Sequence, residues 1–149
     1  MWFSRKQVVK PPPDGSRAQP GQVTTKSRGD AAESAAQVFL ARAGLIPVES
    51  NYRTPGRGGG EIDLVMRTPD GTLVFVEVRQ RSGASHGGAA ASISPAKQQR
   101  IIFAARHYLM RFASPPPCRF DVVLVHGGPG QGPVENGRLE WLPAAFDAS

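Results

Sequence analysis

A chain of 149 residues, 40% hydrophobic and 20% charged, suits one globular domain with a sizeable core. No apolar run approaches the roughly 18 residues of a membrane span, and the basic Met1-Trp2-Phe3-Ser4-Arg5-Lys6 start has no apolar stretch behind it, which excludes a secretory signal. The single cysteine, Cys118, excludes an intramolecular disulfide and points to the cytoplasm.

The net charge of +6 suits an anionic partner such as nucleic acid, yet its distribution is uneven. Arg5, Lys6, Lys10, Arg17, Lys26 and Arg28 stand against Asp14 alone, so residues 1–28 carry +5 and the remaining chain +1. The same segment contains Pro11-Pro12-Pro13-Asp14-Gly15 and Gln19-Pro20-Gly21 and has few apolar residues. It reads as a flexible, basic, proline-rich arm over 1–26, either a solubilising extension or a nucleic-acid contact.

Order is expected from Ser27 onward. Between Ala31 and Gly44, the residues Ala32, Ala35, Ala36, Phe39, Leu40 and Ala43 recur at helical spacing, and Gly44 is a natural stop. A strand over Ile46–Tyr52 is followed by the glycine-rich loop Thr54–Gly60. Glu61–Arg67 and Leu73–Arg79 read as strands joined by the turn Thr68-Pro69-Asp70-Gly71-Thr72, which makes a hairpin. A small-residue loop over Ser82–Ser92 precedes Ser94-Pro95, an N-cap with proline at the first helical position. That helix is expected to reach about Phe112, before Ser114-Pro115-Pro116-Pro117, with Ile101, Ile102, Ala105, Tyr108, Leu109 and Phe112 buried. A strand over Phe120–His126 ends at Gly127-Gly128-Pro129-Gly130, and a short one near Leu139–Leu142 can close the chain. The order α-β-β-β-α-β(-β) predicts an α/β domain over 27–126, a mixed sheet flanked by helices, with a C-terminal extension over 127–149.

Turn length fixes hairpin register. A symmetric connection over residues 68–72 puts Asp63 opposite Glu77 and Glu61 opposite Arg79, all four on one face. Two facing carboxylates repel, and the conflict deepens in an apolar sheet. A shared proton, a basic neighbour (Arg79, Arg81 or Lys97) or a divalent cation with oxygen ligands, Mg²⁺ or Mn²⁺, each offsets it.

The stretches Glu61-Ile62-Asp63-Leu64-Val65 and Phe75-Val76-Glu77-Val78-Arg79-Gln80-Arg81 resemble the YraN-like family of bacterial proteins. So do Gly29–Leu40 with Glu33, Asn51-Tyr52-Arg53, Lys97-Gln98, Ala104-Ala105, Tyr108-Leu109 and Arg119-Phe120-Asp121-Val122-Val123, and the likeness covers about residues 27–125. That family is similar to the restriction-endonuclease-like, PD-(D/E)XK, superfamily and in layout to archaeal Holliday junction resolvases. The resemblance implies a restriction-endonuclease-like fold and an Mg²⁺-dependent endonuclease acting on DNA, with Glu33 as the helix acid and Asp63 and Glu77 as the strand acids. It also implies homodimerisation.

The chain departs from the superfamily pattern where a lysine is expected two residues after the second acid, because Arg79 stands there. Arginine stays protonated and cannot act as a base, though it can hold a phosphate by a bidentate contact. An ion pair with Glu61 is its bland alternative. Lys97, at the start of the next helix, is a candidate replacement. The departure leaves open a catalytically inactive nucleic-acid-binding module of the same fold.

Lys97, Arg100, His107 and Arg111 fall near one stripe of the second helix, which carries no acid; the stripe is either a phosphate-tracking surface or an ordinary solvated face. Arg53, Arg81, Lys97 and Arg100 are the nucleic-acid-binding candidates. The loop with Arg57 and Gly58-Gly59-Gly60 lacks the Lys-Ser/Thr ending of a nucleotide-binding loop and reads as a connector. His86, His126 and Cys118 have no partner at metal-ligand or nucleophile spacing.

Overall fold

The structure, a computed structural model, describes residues 25–56, 58–81, 93–126 and 138–148, with the backbone alone for 25–28. Residues 1–24 of the expected arm, the Ser82–Ser92 loop with His86, Arg57 and the Gly127–Gly130 stop lie outside the described residues. The elements are α1 (Thr25–Arg42), β1 (Ile46–Arg53), β2 (Glu61–Arg67), β3 (Leu73–Arg81), α2 (Pro95–Leu109), β4 (Cys118–His126) and β5 (Leu139–Phe146). The strands form one mixed sheet in the order β1-β2-β3-β4-β5. β1, β2 and β3 are antiparallel neighbours, α2 carries the chain across to β4 parallel to β3, and β5 returns antiparallel. The α/β class and order match the sequence expectation. No described helix is long and apolar enough to cross a membrane.

α1 begins at Thr25, seven residues before Ala32, the first of the apolar stripe that identifies it. Ala32, Ala36 and Leu40 are its fully buried side, and they meet Leu64, Met66, Val74, Val76, Val123 and Val125 on one sheet face. It ends in a Schellman motif. Gly44 adopts φ 109°, its N–H donates to Ala41 O at 3.0 Å, and Leu45 N–H donates to Leu40 O at 3.0 Å.

α2 covers the opposite face, where Ile101, Ile102, Ala104, Ala105 and Tyr108 pack on Val65, Leu73, Phe75 and Phe120. Ser94 Oγ accepts from Lys97 N at 3.1 Å with Pro95 behind it, the N-cap that the sequence announces. The helix stops at Leu109, short of Phe112, and tightens through the Met110 N–His107 O, Arg111 N–Tyr108 O and Phe112 N–Leu109 O bonds.

Asp121, on β4, has no exposed surface. Its carboxylate accepts from Arg119 Nε at 3.0 Å, Trp141 Nε1 at 2.9 Å and Ala144 N at 2.9 Å. Ala144 takes a left-handed φ of 51°, where the β4–β5 register shifts between Phe120 and Val122. One charge thus ties an irregular stretch of β5, which runs four residues beyond the expected Leu142, to the sheet centre.

Candidate active site

The hairpin register is the expected one, with Leu64 opposite Val76, Val65 opposite Phe75 and Met66 opposite Val74. The ladder stops at Leu64–Val76, one position short of the acids. There Asp63 Oδ2 accepts from Val78 N at 2.8 Å, so a carboxylate takes the place of a further main-chain rung. Side-chain alternation breaks at the same spot. Leu64 and Met66 pack in the α1-side cluster, whereas Ile62 packs in the α2-side cluster. β2 and β3 therefore part at Asp63, and the gap is reached from both helical layers.

Asp63 stands here between two other acids. The Asp63 and Glu77 carboxyls hydrogen-bond each other, and Asp63 also bonds with Glu33, which α1 supplies. Asp63 and Glu77 are buried, at 8% and 6% exposure, so they are held against solvation rather than by it. Burial, then the Asp63 charge, pushes Glu77 from 4.5 up to about 7. Burial raises Asp63 as well, against the Val78 N–H that favours its charged form. Glu33 is also lifted to about 7, by burial and then by the Asp63 charge, while a hydrogen bond from Asn51 opposes the rise. Burial and mutual repulsion thus favour a proton on the group toward neutral pH, one of the ways to offset the conflict.

Lys97 supplies a second resolution. Its Nζ lies 3.5 Å from Glu77 Oε2, with the lysine side chain 36% exposed. Arg79, two residues after Glu77, also favours the charged form of Glu77, and its Nε is buried without a hydrogen-bond partner. The expected Arg79–Glu61 pairing is corrected. Glu61 faces Arg53 across the β1–β2 ladder and its carboxylate lies 3.8 Å from Arg53 Nη2, because β2 stays paired with β1 there while its pairing with β3 has ended at Leu64.

The basic stripe on α2 also needs correction as an open surface. Ala104, in its middle, is fully buried. Gly60 is the reason, since a Cβ there would lie 2.0 Å from Arg100 O and 3.4 Å from Ala104 Cβ. The missing side chain lets α2 settle against the start of β2. Of the stripe, Lys97 turns to Glu77, His107 Nδ1 bonds Tyr52 Oη, and Arg111 lies 3.7 Å from the Tyr108 ring centroid and 3.5 Å from Glu49 Oε1. Arg100 remains exposed. The glycine-rich loop is closed at its base: Thr54 N donates to Gly60 O at 3.1 Å, and Gly60 N donates to Thr54 Oγ1 at 2.9 Å. Arg81 is half-buried at the end of β3.

A polar cleft of about 270 Å³ opens beside Glu33, lined by Asp30, Ser34, Gln37, Ser50 and Asn51 with Leu64. Asn51 holds a left-handed φ of 55°. Its part in orienting Glu33 has no signal in spacing; Asn51 stands in one of the family-like stretches, and asparagine tolerates that conformation. His126 and Cys118 lie apart from the acids; His126 Nε2 is 3.3 Å from Glu140 Oε1 and Cys118 is exposed.

Among the described residues, no three His, Cys, Asp or Glu side chains form a ready-made metal cage. The acids run in a line, Glu33–Asp63–Glu77, with Asp63 at the centre. Their donor set fits a hard divalent ion all the same. Two buried carboxyls in hydrogen-bond contact offer oxygen ligands to one point, and a bound cation removes the repulsion that raises Glu77.

Residues 32–125 match the family described as "Uncharacterised protein family UPF0102". The chain is 74% identical to a UPF0102 protein of Polaromonas naphthalenivorans over the full length of both chains. It is 66% identical to one from Albidiferax ferrireducens, covering 84% of this chain and 91% of that protein. With one from Methylibium petroleiphilum it shares 62% identity over 85% of this chain and 99% of the relative. The family resemblance read from the motifs is thereby shown, over nearly the span assigned to it.

Proposed function

This chain belongs to the UPF0102 family, and from that premise and its acid cluster we propose a nucleic-acid-binding protein that hydrolyses phosphodiester bonds in DNA with Mg²⁺ or Mn²⁺. The observation that carries the reading is the buried contact between Asp63 and Glu77 where β2 and β3 part, with Glu33 joining Asp63 from the facing helix. Such a conflict is costly to keep in a sheet without a use.

Asp63 and Glu77 would hold the ion and Glu33 would complete the site. When bound, the ion supplies an activated water and charge neutralisation at the scissile phosphate. The protein's own residues do the rest. The Val78 N–H fixes the Asp63 carboxylate, and Asn51 fixes Glu33. Arg79 brings a buried, unpartnered Nε to the side of Glu77, and a phosphate oxygen is a natural acceptor for it. Arg53 and Arg100, both exposed, and the half-buried Arg81 supply charge for the strand's backbone.

The test is incubation of the purified protein with labelled branched, single-stranded and duplex DNA in Mg²⁺, Mn²⁺ or EDTA. Metal-dependent cleavage that disappears in Asp63→Ala and Glu77→Ala is the expected result. Cleavage that survives EDTA or both substitutions would refute the assignment. Arg79 at the lysine position favours a second reading, an inactive module that binds DNA in a salt-sensitive way without cutting it. Gain of cleavage in Arg79→Lys would show that the lysine alone was missing.

A further inference from the structure

We infer that Lys97 is the active-site lysine of this chain, delivered from the N-terminus of α2 in place of the group that Arg79 replaces on β3. The inference rests on the acid-cluster reading above. It concerns the cation that faces the substrate rather than the ligands of the ion.

Three observations carry it. First, Lys97 Nζ lies 3.5 Å from Glu77 Oε2, so an amino group stands beside the second strand acid although the strand itself offers only a guanidinium. Second, Lys97 occupies the first turn of α2, where the helix dipole opposes a cation. An unconstrained lysine would extend into water; this one folds inward to a buried acid. Third, its backbone is fixed by the Ser94 cap, Ser94 Oγ accepting from Lys97 N at 3.1 Å, and Gln98 Nε2 anchors the same turn to Ile93 O at 2.8 Å. The side chain is 36% exposed. An ammonium has three N–H donors and no acceptor. One donor meets Glu77, and the others are left for a phosphoryl oxygen and the attacking water. Arg79 then serves as a phosphate clamp. The two cations divide between them what a single strand lysine does elsewhere.

The experiment uses the full chain, stripped with EDTA, as wild type, Lys97→Met, Lys97→Arg, Asp63→Asn and the double variant Lys97→Met/Arg79→Lys. Circular dichroism and thermal melting confirm that each is folded. Calorimetric titration with Mn²⁺ alone should show tighter binding to Lys97→Met than to wild type, since a cation competing for Glu77 is gone.

With Mn²⁺ and labelled branched DNA, kcat should fall by about 10²-fold or more in Lys97→Met while KM holds, the loss typical of removing a preorganised charge. Lys97→Arg should fall nearly as far, and Arg79→Lys in the Lys97→Met background should recover part of the activity. Weaker Mn²⁺ binding or an unchanged kcat in Lys97→Met would overturn the inference and make Lys97 an ion-pair residue. Failure of the acid-cluster reading looks different: Asp63→Asn would then bind Mn²⁺ as wild type does, whatever Lys97→Met does.

Discussion

Replacing Glu77 by glutamine should stabilise the metal-free protein, and only above mid-acid pH. The group's folded value is raised from 4.5 to about 7 by burial and by Asp63. A raised carboxyl contributes stability that is fully present below its unfolded pKa and is lost as pH rises through the folded one. At about 1.4 kcal/mol per tenfold change in proton affinity, the rise corresponds to about 3 kcal/mol by pH 8. Glutamine keeps the shape and the neutral form at every pH, so Glu77→Gln should match wild type near pH 4.5 and exceed it by up to about 3 kcal/mol at pH 8. For a chain of this size that is a Tm higher by about 6–12 °C. Thermal and urea unfolding in EDTA at the two pH values measure it. Saturating Mn²⁺ should reverse the order, because only the wild type gains binding free energy through the intact acid pair. A Glu77→Gln protein less stable than wild type at pH 8 in EDTA would refute the reasoning, since it would make the Lys97 contact a net stabiliser and the acid contact no conflict.

Three further outcomes follow from the same geometry. Because Glu33 and Glu77 retain protons up to about pH 7, Mn²⁺ affinity should weaken on acidification below that value, by about tenfold per pH unit for each proton displaced; calorimetry in buffers of different ionisation heat counts the protons, and a pH-independent affinity would count against the site. Asp121→Ala should cost about 3–5 kcal/mol in urea unfolding, since it leaves Arg119, Trp141 and Ala144 donors without their buried acceptor. Gly60→Ala should destabilise by more than about 1 kcal/mol and lower DNA cleavage with it, because the added methyl meets the Arg100 carbonyl and pushes α2, with Lys97, off the sheet.

What the sequence discloses follows from which interactions are local. The turn over residues 68–72 sets its own geometry: Thr68 N donates to Thr72 O at 2.9 Å, and Gly71 supplies φ 98°. The hairpin register was therefore readable, and the meeting of Asp63 and Glu77 with it. Ser94-Pro95 and Gly44 mark helix ends for the same reason. The split at Asp63 was not readable, because β2 keeps β1 as its partner from Arg67 to Glu61 while its pairing with β3 ends at Leu64, and the sequence of one hairpin does not encode where that pairing ends. Nor was the fate of the α2 stripe. Helical spacing gives angles about an axis, and Gly60, forty residues away from Arg100, decides which angle faces the sheet. Asn51 and Asp121 carry no periodic signal at all. A left-handed residue stands at each, Asn51 itself and Ala144, whose N–H donates to Asp121.

The parting of β2 and β3 has a consequence for the order of assembly. Lys97 lies sixteen residues after Arg81, so a hairpin over residues 61–81 that closes before α2 forms brings two carboxyls together without their lysine. Its early closure is disfavoured, and β3 gains its parallel neighbour only after α2 has crossed. The buried acid pair therefore depends for its counter-charge on an element that follows it in the chain, and a chain cut before α2 would keep both carboxyls and lose Lys97.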